Sequence, residues 1–222
     1  VTYTPITQGT PDWDVPVNAA FVDQNARIDV NAAAIVTTNG RVTTLENNGN
    51  FTYTSGGYLG WNYDPAMGSG SSALTLAALH MIRIDLHAAA TINNVVGGVQ
   101  VIGATLTAGQ NLAGLYDASG TLLAQTADQS ASWVSTGHKV MALTAPVSAA
   151  AGTYYVGLLS NGTTAPSFLR SVGAAASAVT INVNLPMTTA RWTTATGGTS
   201  LPASVTMSGR TLNGSAIWAG LS

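Results

Sequence analysis

Cysteine is absent from the 222 residues, which excludes a disulfide framework and a thiolate metal site but leaves the compartment open. Charge is almost as scarce. Asp, Glu, Lys and Arg make up 7% of the chain, against roughly 25% in an average soluble domain. The formal net charge of −2 carries no broad attraction to nucleic acid or to an anionic membrane. No apolar run is long enough to span a membrane and no basic segment leads into one, so neither membrane insertion nor a signal peptide is expected. Glutamate does not occur after Glu46. Of the three histidines, His80 and His87 are seven apart on one expected strand, fall on opposite faces and cannot share a metal, while His138 stands alone. No zinc-protease helix motif, nucleophile elbow or phosphate-binding glycine loop is present. With so few titratable groups, the chain is expected not to be an enzyme and to hold neither metal nor cofactor.

What is present is 46% apolar residues, enough for a real core. The surface must then be covered by Thr, Ser, Asn, Gln and Gly. Such a surface offers few targets to lysine- and arginine-directed proteases and suits work outside a cell.

The chain is organised around residues 17–46. Phe21, Ile28, Ile35 and Val42 recur every seven residues, and Gln24, Asn31, Thr38 and Leu45 follow each by three. This is a heptad with a bulky apolar residue at one core position and mostly a polar residue at the other. The expected core of an oligomeric stalk is therefore Phe21, Gln24, Ile28, Asn31, Ile35, Val42 and Leu45. Gln24 and Asn31 can be buried only if they hydrogen-bond to their symmetry copies, and a three-fold axis lets three amides close a ring. A homotrimer follows, and a lone amphipathic helix packed on the remaining domain is the alternative. Asn18 is a plausible N-cap, and Asp14 with Pro16 is the competing start. Asn39-Gly40 is the weak point of the helix, because that dipeptide favours turns.

Residues 1–16 carry three prolines and read as an extended arm. Its Trp13 either caps the helix bundle or docks the arm into another protein as an aromatic anchor. After the stop signal at Asn47-Asn48-Gly49-Asn50 the period changes from seven to two. The expected organisation is an arm (1–16), a coiled-coil stalk (17–48), an aromatic and Gly/Ser-rich connector (49–72) and a β head (73–222). Within the head, strands are expected at 79–87, 99–107, 112–116, 121–126, 139–143, 153–160, 167–171, 178–183, 204–207 and 216–219. Turn signals such as Asp117-Ala118-Ser119-Gly120 separate them. Short strands at this spacing indicate a mainly β fold, an antiparallel β-sandwich of jelly-roll type.

The segment Pro11-Asp12-Trp13-Asp14-Val15-Pro16-Val17-Asn18-Ala19-Ala20-Phe21, followed by Asp23-Gln24 and Arg27-Ile28, resembles the N-terminal region of minor tail or tail-fibre proteins of actinobacterial phages. The resemblance covers about the first 46 residues and the general layout of stalk followed by β domain. It implies a trimeric virion protein that attaches to other virion proteins by its arm and presents a head for receptor binding, with a host-surface glycan as the expected ligand. A capsid fibre or decoration protein without a receptor, and a glycan depolymerase, are the alternatives. The stretches at 113–124 and 151–159 resemble strands of carbohydrate-binding β-sandwiches, a likeness of fold that transfers no site.

Candidate ligand-binding residues are Trp61, Tyr63 and Asp64 in the connector, where rings among glycines can stack on sugars, and Trp133 in a Ser/Thr/Gly-rich loop. Trp192 and Trp218 read as packing. Arg83, Asp85 and His87 share one strand face, a polar ladder and the best catalytic candidate if there were one. Acid pairs for glycoside hydrolysis would have to come from Asp64, Asp85, Asp117 and Asp128, which lie in separate segments.

Overall fold

The structure, a computed structural model, describes residues 14–48, 52–171 and 178–222, with side chains in the first stretch described over 21–38. The chain divides into two compact units, Val1–Phe51 and Thr52–Ser222.

In the first unit a single helix, α1 (Asp14–Asn48), covers the heptad. It begins at the earlier of the two expected starts. Pro16 thus falls in the first turn, where its missing N–H has no intrahelical bond to lose. The helix passes through Asn39-Gly40 without a break, although glycine costs about 1 kcal/mol relative to alanine inside a helix. Phe21, Ile28 and Ile35 are 45%, 56% and 60% exposed in the single chain. Gln24 and Asn31 are exposed too. Trp13 lies outside the described residues, as do the side chains of Val42 and Leu45. Among the described residues no helix is long and apolar enough to cross a membrane.

The second unit is mainly β, with every strand pair antiparallel. Its first strands are β1 (Gly60–Trp61), β2 (Gly70–Ala73), β3 (Ala78–Leu86), β4 (Ala90–Val101) and β5 (Ala104–Leu106). Then come β6 (Leu112–Asp117), β7 (Leu122–Gln125), β8 (Gly137–Ala149), β9 (Gly152–Leu159), β10 (Gly162–Thr164) and β11 (Ser167–Arg170). A short helix α2 (Ala178–Ile181) precedes β12 (Trp192–Thr196), β13 (Thr211–Leu212) and β14 (Ala219–Leu221). One sheet has β4 at its centre. β8 lies along one edge of β4, while β14 and β11 lie end to end along the other, backed by β1 and β2 respectively. The other sheet runs β13-β12-β3-β9-β6-β7, and β5 and β10 form a separate ribbon.

The period-two pattern sets the faces of these sheets. On β3, Ile82, Ile84 and Leu86 enter the core, joined by Val156 and Leu158 of β9 and Leu115 of β6. Ile92, Val95 and Val99 of β4, Met141 of β8, Phe168 of β11 and Leu221 of β14 enter it from the other sheet. The two sheets therefore face each other across one apolar layer. Each fully buried side chain of this size contributes about 1.5–3 kcal/mol. The outer face of the second sheet is not left to solvent. Leu79, Met81, Tyr116 and Tyr155 pack beneath Leu201, Val205 and Met207 in a second cluster.

Three expectations need correction. The connector supplies β1 and β2, so residues 52–72 belong to the β unit. Residues 178–183 are not a strand but α2 and a following turn. The buried Asn182 carboxamide fixes that turn by donating to the carbonyls of Ala178, Trp192 and Asn213 and accepting from the Trp192 N–H. Residues 204–207 make one bridge, Ser204 to Thr121, and then a 3-10 turn. Their apolar alternation reflects the burial of Val205 and Met207 on the outer sheet face rather than strand pairing.

Candidate functional site

The exposed end of β3 is where polar chemistry gathers. β12 pairs with β3 only as far as Trp192 opposite Ile82, and the last bond on that side runs from the Arg83 N–H to the Arg191 carbonyl, 2.8 Å. Beyond this point β3 has no strand neighbour on that side. The edge of the other sheet comes close instead, because residue 60 is glycine. A Cβ there would lie 3.2 Å from Ile84 Cγ2 and 3.3 Å from the Asp85 carbonyl oxygen. The close approach sets Trp61 beside the outward-facing residues of β3.

The result is a depression of about 240 Å³ lined by Trp61, Asn62, Arg83, Asp85, His87, Arg191 and Trp192. Arg83 donates from Nε and Nη2 to Asp85 Oδ1, both at 3.0 Å, and from Nη1 to the Thr189 carbonyl, 3.0 Å. Thr153 Oγ1 donates to the same Asp85 oxygen at 2.6 Å, and Oδ2 accepts none of these bonds. The pair is partly exposed, so its rigidity comes from this shared geometry more than from Coulomb attraction. His87 stacks on Tyr53 with ring centroids 5.5 Å apart and planes at 21°. Asn62 is held from both ends, donating to the Ile217 carbonyl at 2.6 Å and accepting from the Ala219 N–H at 3.0 Å. Trp192 is buried, and its Nε1–H donates to the Ile217 carbonyl at 2.9 Å. Half-buried Trp61 lies 5.5 Å from the Tyr58 ring, and Tyr58 shares a 2.8 Å hydrogen bond with His138 Nε2.

Of the residues expected to bind a ligand, Trp61 lines this depression and the other three do not. Tyr63 is packed against the core, and its hydroxyl donates to the Ala216 carbonyl at 3.1 Å. Burial pushes that phenol well above its ordinary range. Asp64 caps the 3-10 turn Pro65–Met67 by accepting from the Ala66 N–H at 2.8 Å. Trp133 corrects the expectation outright. It is fully buried, edge-on to Phe168 at 5.4 Å, with its indole N–H toward Met141 Sδ, so it presents no surface to a ligand. Trp192 and Trp218 are buried, as expected for packing.

Arg191 and Trp192 are site residues that sequence reasoning missed. They are separated from Trp61 by well over a hundred positions, and only the β12–β3 pairing brings them together. The adjacent Arg-Trp pair, in a chain so poor in charge, was the available signal.

The four aspartates serve local roles and do not form an acid pair. Asp117 accepts from the backbone N–H of Ser119 and Thr121 in the β6–β7 turn. Burial pulls its pKa upward, but hydrogen bonds from Ser119, Thr121 and Gly120 outweigh it and the net shift is downward. Asp128 follows the same balance, with bonds from Gly109, Ser130 and Asn111. Asp85 is committed to Arg83. Among the described residues no group of three or more His, Asp or Glu side chains could hold a metal ion. An aromatic ring, a carboxylate, an imidazole and a guanidinium around a shallow depression can instead bind a hydroxyl-rich ligand by stacking and hydrogen bonding. No protein-family model matches the chain, and no curated protein matches it in sequence.

Proposed function

We propose that the chain is a trimeric structural virion protein, a tail fibre or spike of the kind carried by actinobacterial phages. In this reading its N-terminal arm attaches to the particle, α1 trimerises, and the β unit binds a host-surface glycan in the Trp61 depression. The observation that carries the reading is the exposure of Phe21, Ile28 and Ile35 at seven-residue spacing on a 35-residue helix. Burying such side chains contributes about 1.5–3 kcal/mol each. Three parallel copies would enclose them, with Gln24 and Asn31 as hydrogen-bonded layers that hold the register. A jelly-roll reading of the head is supported by the chain's repeated crossings between sheets, at β3 to β4, β4 to β6, β7 to β8 and β8 to β9. Three weak glycan sites on one trimer would act together through avidity.

Sedimentation equilibrium tests the assembly. A trimer is expected for the wild-type chain and a monomer for Ile28→Asp, with the β unit still folded. A wild-type monomer at micromolar concentration would overturn the trimer. A pull-down on host cells tests the receptor role. Stable attachment to the particle without any binding to cells would make the chain a decoration protein. Release of oligosaccharides from host envelope, abolished by Asp85→Asn, would make it a depolymerase.

A further inference from the structure

The β unit contains nine charged side chains, four Asp and five Lys or Arg. Three of them, Arg83, Asp85 and Arg191, line the one depression that also holds Trp61. Their charges do not cancel. Arg83 is committed to Asp85 and to the Thr189 carbonyl. That pair is the single salt bridge among the described residues. Arg191 is exposed, and its guanidinium makes no hydrogen bond or ion pair with any described residue.

Other cations of the unit are employed differently. Arg210 is buried on three acceptors, and Lys139 donates to Ser135 at 2.7 Å. Arg191 therefore presents an uncompensated planar fork of five donors at the margin of a site walled by an indole ring. That fork matches the two oxygens of a carboxylate or phosphate, and it gains most where neighbouring rings exclude water. Asp85 repels an anion from the β3 side, which leaves the Arg191 side as the place for one.

We infer that the ligand of this depression is an anionic saccharide, with its sugar ring against Trp61 and its carboxylate or phosphate on Arg191. The inference rests on the reading of the depression as a glycan site and specifies the chemical class of that glycan.

The test applies the full chain to an array that pairs uronate-bearing and phosphate-bearing bacterial envelope oligosaccharides with neutral counterparts of the same backbone. Arg191→Gln and Trp61→Ala are run beside the wild type, with melting curves to confirm that both variants are folded. The acidic member of a pair should bind about tenfold more tightly than its neutral counterpart, and added salt should reduce the difference. Arg191→Gln should abolish the preference for the acidic member, and Trp61→Ala should lose binding of both members. The pair that shows the preference identifies the group as carboxylate or phosphate. Equal binding of both members, or a preference that survives Arg191→Gln, overturns the anionic inference and leaves the glycan site standing. Binding to no oligosaccharide, or binding that ignores Trp61→Ala, overturns the glycan site and the inference with it.

Discussion

Mild acid should destabilise the β unit through one residue, His80. Its ring is buried at 3% exposure. The Thr75 N–H donates to Nε2 at 2.8 Å, so Nε2 carries no proton in the folded chain, and the Asn213 Nδ2 amide lies 3.0 Å from Nδ1. Protonating Nε2 would set two donors against each other inside the protein. Burial accordingly lowers the pKa from 6.5 to about 4. The unfolded chain takes up this proton near pH 6.5 and the folded chain does not. The His80 contribution is therefore fully present above pH 6.5 and is lost as the pH falls toward 4. Below that both states are protonated and nothing further is lost from this source. The gap between the two values corresponds to about 3 kcal/mol, a large share of a typical domain's stability.

The assay is urea unfolding followed by tryptophan fluorescence from about pH 7.5 down to about pH 4.5. The unfolding midpoint should fall steadily below pH 6.5 in the wild type. His80→Asn should start lower and stay nearly flat over the same range. A wild-type midpoint that does not move, or a variant that falls in parallel with it, refutes the argument. Asp117 and Asp128 lie outside this window. Both have lowered values, so what they add is lost only as the pH falls below the ordinary carboxylate range.

Two further predictions concern the cover over the outer sheet face. Arg210 is buried, with its guanidinium 4.6 Å from the Tyr155 ring centre and donating to the Met207 carbonyl, Thr193 Oγ1 and the Met187 carbonyl. Lysine is a point charge that cannot span three acceptors, so Arg210→Lys should cost about 2–3 kcal/mol in urea unfolding while leaving the Trp61 depression able to bind. Gly120 has φ +91°, and a Cβ there would lie 2.2 Å from the Val205 carbonyl oxygen. Gly120→Ala should cost about 3 kcal/mol by the same assay, whereas Gly109→Ala, at φ +78° with open space around it, should cost less.

Sequence periodicity alone was enough to read the helix and several of the strands, but not β12, β13 or most of β4. The heptad that begins at Phe21 lies on α1, and the alternation in β3 sets Ile82, Ile84 and Leu86 on the face opposite Arg83 and Asp85. Both patterns are local, recorded every seven or every two residues, and so they survive without knowledge of what packs where. The failures share a cause. Residues 204–207 alternate like a strand because an outer sheet face buries Val205 and Met207, and Trp133 read as a ligand-binding residue in its loop because Phe168, the ring it packs against, is distant in sequence. Periodicity shows that a residue is buried but not what buries it.

The candidate site divides in the same way. Composition determined that charge is rare and that any cluster of it carries weight. The Arg83-Asp85-His87 ladder and Trp61 were each legible from their own segments. Their meeting was decided only by the tertiary structure. β12 stops at Trp192 and leaves the end of β3 open, and Gly60 lets the edge of the opposite sheet approach. That approach brings Trp61 to Asp85, and the strand pairing delivers Arg191 from the far end of the chain. These are long-range pairings between antiparallel strands, set by the summed burial of two sheet faces, and no local stretch of sequence encodes them.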